Sequence, residues 1–101
     1  MALFRVIRVI DADTIQVYPN WLWNGQQGNI VRVYGYSSPT DPHVQASARG
    51  KLNNILQNQL VELKNPFIAP SNNVIAQPQL VCRVFRNTVD VSRYFPELNN
   101  F

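Results

Sequence analysis

The sequence predicts a mainly β chain with one helix, closed as a five-stranded barrel. Three observations predict it. Short runs of β-branched residues recur along the chain, a single helical stripe interrupts them, and Pro, Gly and Asn punctuate the gaps. The 101 residues fit one domain spanning 1–101, in which a single core is feasible but stability is modest. Hydrophobic residues make up 46% and charged residues 15%, a globular composition with few surface charges.

The elements follow in order. "LFRVIRVI", residues 3–10, reads as a strand. "DADT" is a polar break, and Thr14 to Tyr18 resumes as a second strand that Pro19 should stop. "NWLWNGQQGN" reads as a turn-rich loop around Asn24-Gly25, and "IVRVYGY" as the third strand. In "SSPTDP", Asp41 can cap a helix with Pro42 in its first position. Val44, Ala48, Leu52 and Leu56, with Ile55 beside them, then share one stripe, giving a helix near 42–58 that Gly50 weakens without ending. "LVELK" is a fourth strand, and residues 65–79, with three prolines and no period, read as a long loop. "LVCRVF" is the fifth strand, followed by a turn at Asn87, a short extended piece and a helical turn limited by Pro96. Five short strands around one helix is the plan of the OB fold.

Charge and cysteine content narrow the function classes. The net charge of +3 comes from cations scattered along the chain, too dispersed to imply nucleic acid by itself. Cys82 is alone, which removes an internal disulfide and a thiolate zinc site, and it reads as a small core hydrophobe. No uninterrupted signal-peptide core or membrane span is present in the sequence, so the expected setting is reduced and cytoplasmic, with no membrane partner.

Four segments resemble the staphylococcal nuclease (thermonuclease) family. "VIDADTIQV" is similar to that family's IDGDT turn with its flanking strands, and "VRVYGYSSPT" to its R-L-x-G-I-D-x-P-E segment. "QASARGKLNNILQNQLVEL" is similar to its helix and following strand, and "LVCRVFRNTVDVS" to its last hairpin. The resemblance covers most of residues 4–92 and implies an OB barrel. It also implies phosphodiester cleavage with calcium held by carboxylates, an arginine pair and an assisting glutamate. Asp13 falls on the first calcium carboxylate and Arg32 on the first arginine, but Ser37 stands at the second carboxylate, Thr40 at the glutamate and Gln79 near the second arginine. The family also continues into further helices that pack on the barrel, so some apolar surface is expected here.

A depleted set of this kind makes a poor calcium site, because calcium takes six to eight oxygens including several carboxylates. Losing one arginine and the metal together removes most of the charge that meets a phosphoryl transition state. Asp11 and Asp13 are candidate metal ligands whose simpler reading is acceptance of backbone hydrogen bonds in a tight turn. Arg32 is a candidate phosphate contact whose simpler reading is an ion pair with one of them. His43 has no catalytic partner in sequence, and Asp41 reads as the helix cap.

The distribution of charge is more informative than its sum. Residues 14–31 and 65–82 carry no charged side chain. Nucleic-acid binders place Lys and Arg on such loops, since phosphate neutralisation supplies their affinity. Here Trp21, Leu22, Trp23, Phe67, Ile68, Val74 and Ile75 stand there instead. Exposed apolar loops usually mark protein contacts. Trp21, Trp23, Phe67 and Ile68, with Tyr36, are therefore the binding candidates. The alternative for the tryptophans is that at least one closes an end of the barrel. The favoured expectation is a non-catalytic module that binds a protein partner or itself, without a cofactor. The alternatives are a nucleic-acid-binding barrel without cleavage, and a divergent calcium-dependent nuclease.

Overall fold

The computed structural model describes residues 3–36, 39–68 and 80–98. Six strands and one helix follow in the order β1 (Phe4–Asp11), β2 (Thr14–Trp23), β3 (Gln26–Val33), α1 (Pro42–Leu56), β4 (Leu60–Ile68), β5 (Leu80–Arg86) and β6 (Val89–Asp90). The sheet runs β3-β2-β1-β4-β5-β6, and a further parallel pairing of β3 with β5 closes its first five strands into a barrel. The predicted fold class, a mainly β chain with one helix in a closed five-stranded barrel of OB-like order, is what the chain adopts, with β6 as an extra strand. Closure depends on two short seams, β1 with β4 at Phe4 and Arg5, and β3 with β5 from Val31 to Val33.

The alternation of β-branched residues sets which side chains enter the barrel. Val6, Val9, Ile15, Val17, Val31, Val33, Val61, Cys82 and Val84 are all buried. In β1 the two inward valines are three residues apart, because a bulge between Val6 and Arg8 turns both Ile7 and Arg8 outward. Burial pushes the Cys82 thiol up to about 12, so it stays neutral in the core.

Helix α1 begins where the capping residues predict. Asp41 accepts hydrogen bonds from the amides of His43 (2.8 Å) and Val44 (3.3 Å), and Pro42 occupies the first turn. Ala48, Leu52 and Leu56 are buried against the barrel. Val44, expected on the same stripe, is exposed, because the first helical turn stands beside Leu98 at a surface groove. Asn58 ends the helix in the left-handed conformation (φ 62°), and its N–H donates to Val6 O at 2.8 Å.

Two expected loops extend the strands instead. Pro19 does not stop β2, which continues to Trp23 and forms a hairpin with β3 around Asn24-Gly25. Asn65 to Ile68 belongs to β4, which leaves 69–79 of the expected loop outside the described residues. In both strands the proline lies within a register break, between Gln16 and Trp21 and between Lys64 and Phe67, where its missing N–H removes no ladder bond. Beyond β6, Asp90 accepts from Ser92 N at 2.9 Å and starts a 3-10 turn over Val91–Tyr94. The Phe95 side chain then enters the core fully buried.

Candidate functional site

Asp11, Asp13, Thr14, Arg32, Pro39 and Thr40 line a cleft of about 510 Å³, with Gln45 of α1 on its far wall. Three elements build it: the β1–β2 turn, strand β3 and the approach to α1. The two carboxylates are already engaged. Asp11 accepts from the amide of Ala12 at 2.7 Å, and Asp13 accepts from the Thr14 hydroxyl at 3.1 Å. Asp13 is buried and pairs with Arg32, whose Nε stands 3.5 Å from its Oδ2.

Tyr36 fixes this turn from inside. Its hydroxyl donates to Ala12 O at 2.6 Å, and its ring stacks on Phe95 with centroids 4.6 Å apart. Burial, helped by the neighbouring charge of Asp13, raises the Tyr36 phenol above its ordinary range, so it remains a donor at neutral pH. Tyr36 was expected among the binding residues. It is only 5% exposed and acts instead as a strut between the turn and the core.

The donor set here suits a self-contained turn better than a divalent cation. Of the buried side-chain oxygens, one carboxylate already faces a guanidinium, and among the described residues no group of three or more His, Cys, Asp or Glu side chains is placed to hold a metal. Thr40, the position that the resemblance aligned with the assisting glutamate, lines the cleft and is exposed. Ser37 and Gln79, the other two substituted positions, lie outside the described residues.

The second candidate region is the β2–β3 arm, which reaches beyond the barrel seam. Asn24 and Gly25 both have positive φ (53° and 77°), the geometry of a type I′ hairpin turn. Of the two tryptophans, Trp21 is a correction. It is 2% exposed, packs over Gly28 and donates from Nε1 to Ile30 O at 2.9 Å. A glycine opposite it on β3 leaves the space the indole fills, so Trp21 anchors the arm rather than meeting a partner. Trp23 is half-buried against the core cluster, and Leu22 between them is 76% exposed.

The remaining candidates lie on β4. Phe67 is exposed, pairs with Val81 of β5 and meets Tyr34 edge-on with centroids 6.2 Å apart. Ile68 is half-buried and packs on the core. Val74 and Ile75 lie outside the described residues. Sequence reasoning missed Tyr18 and Tyr34, both exposed on the outer barrel surface. The period-2 alternation from Val17 and Val33 would have placed both outward. Arg83 stacks over the Tyr34 ring at 5.1 Å while pairing with Asp90 at 2.9 Å, and Lys64 sits over Phe85 at 4.7 Å while pairing with Glu62 at 3.5 Å.

No protein-family model matches the chain, and no curated protein matches it. The residues themselves therefore carry the functional argument. Among the described residues no helix is long and apolar enough to cross a membrane.

Proposed function

We propose that this chain is a non-catalytic barrel module, similar in its segments to the staphylococcal nuclease family, that works by binding protein through its uncharged surfaces. The observation that carries this reading is the β2–β3 arm. It projects from a cationic protein without one charged residue from 14 to 31, and it presents Leu22 and Tyr18 at 76% and 68% exposure. Large apolar side chains at that exposure favour a partner that covers them.

Two features weigh against the alternatives. For cleavage, the cleft offers one arginine already paired with its own aspartate, and a threonine at the position of the expected glutamate. For nucleic acid, the aromatic rings Tyr34 and Phe67 beside Arg83 are the favourable observation. Yet Arg32, Lys64 and Arg83 each have a carboxylate within ion-pair distance, so a phosphate would have to compete with it.

Light scattering and binding titrations at low and high salt test the reading. The expected protein does not cleave single-stranded DNA in calcium and associates through apolar contacts that persist at high salt. Leu22→Asp should abolish that association without changing the circular dichroism. A strictly monomeric protein with tight, salt-sensitive oligonucleotide binding would sink the reading. So would cleavage that disappears in Asp13→Ala.

A further inference from the structure

Among the described residues, the β2–β3 arm has one strand edge with no paired neighbour. Residues Gln26–Ile30 of β3 pair with β2 on one side, whereas the parallel pairing with β5 begins only at Val31. Among the described residues no strand pairs the outer side of Gln26–Ile30. Trp23 and Gln26 flank the two-residue turn and bond each other, so alternation points the N–H and C=O of Gln27 outward. Open edges are normally blunted by Lys, Pro or an inward charge. The opposite edge of the arm has that device in Pro19, but "QQGNI" has neither proline nor charge.

We propose that this edge is an interface between two copies of the chain, paired antiparallel across a two-fold axis to continue the sheet from one barrel into the next. The inference rests on the protein-binding reading above and names its partner. Electrostatics selects a second copy. A charged partner finds no complement on residues 14–31, whereas a like copy brings its own uncharged arm. The symmetry also satisfies both edges at once, because the same open amide on each copy meets the other. Leu22 stands directly across from Gln27 on the same face, one strand in from the seam.

The test is sedimentation equilibrium on the whole chain, with Gln27→Lys and Gln27→Glu as variants. The position is exposed and outside the core, so both should keep the wild-type circular dichroism spectrum. Wild-type protein should show a concentration-dependent dimer of the 11.6 kDa chain. Each variant alone should weaken it at least about tenfold, since like charges meet across the two-fold. Mixing the two in equal amounts should restore it as a heterodimer. A wild type that stays monomeric at its highest soluble concentration overturns the inference. A dimer indifferent to charge at position 27 but lost in Leu22→Asp also overturns the edge pairing while leaving the apolar-arm reading intact.

Discussion

The indole of Trp21 lies across Gly28 so closely that a Cβ built on the glycine would stand 2.8 Å from the ring. The two residues are direct cross-strand partners. The absence of a side chain on one is what allows burial of the other, and the indole N–H then satisfies Ile30 O at 2.9 Å. Gly28→Ala should therefore displace the ring and destabilise the chain by about 1–3 kcal/mol, as overpacking does. Trp21→Ala should cost about 3–5 kcal/mol. Denaturant unfolding followed by tryptophan fluorescence reads both. A neutral Gly28→Ala would mean that the ring moves aside freely.

Gly50 makes the opposite prediction. It lies inside α1, and a Cβ there would meet nothing within 4 Å. Its only consequence is the extra backbone freedom of the unfolded chain. Gly50→Ala should stabilise the protein by about 0.5–1 kcal/mol, a rise of several degrees in a thermal melt of a chain this small. An unchanged or lowered melting temperature would refute this account of the helix.

Tyr36→Phe tests the strut beneath the acidic turn. The ring and its stack on Phe95 survive the change, but Ala12 O loses the donor 2.6 Å away. A buried acceptor left unpaired costs about 1–3 kcal/mol. The wild-type phenol is also raised by burial and by Asp13. Its contribution is complete below the unfolded value of about 10 and is lost as pH rises beyond it. An alkaline denaturation curve should be less steep in Tyr36→Phe. Coincident curves would mean that this tyrosine does not titrate with unfolding.

Asp90 governs the acid side. Burial alone would raise its carboxyl, but the Ser92 amide and hydroxyl and the Arg83 guanidinium outweigh that and hold it below its ordinary value. A depressed carboxyl stabilises the folded chain above the unfolded value of about 3.9, and that stability is lost as pH falls through the lower folded value. Asp90→Asn should remove this part of the acid dependence and loosen the Val91–Tyr94 turn that Asp90 starts. Urea midpoints at pH 3 to 6, compared between the two proteins, measure it. Identical slopes with pH would place the acid sensitivity elsewhere.

Local signals in the sequence determined the parts of the fold that depend on neighbours in the chain. The β-branched alternation set the inward residues of β2 and β3, whereas in β1 a bulge spaced the inward valines three apart. Asp41 and Pro42 set the start of α1, and Asn24-Gly25 set a turn. The pairing of Arg32 with Asp13 was legible as well, because the residue types and their segments allowed it. What the tertiary structure decided depends on residues distant in sequence. Whether Trp21 faced a partner or the core turned on Gly28 across the hairpin. Tyr36 became a strut because Phe95, 59 residues later, gave its ring a stacking partner. Pro19 and Pro66 were absorbed because register breaks, set by what the neighbouring strands pair with, fell on them. Among the described residues, β3 meets β5 only from Val31 onward, so Gln26–Ile30 pair on one side alone. Which strand groups remain unpaired is a property of the closed sheet, and no stretch of neighbouring residues encodes it.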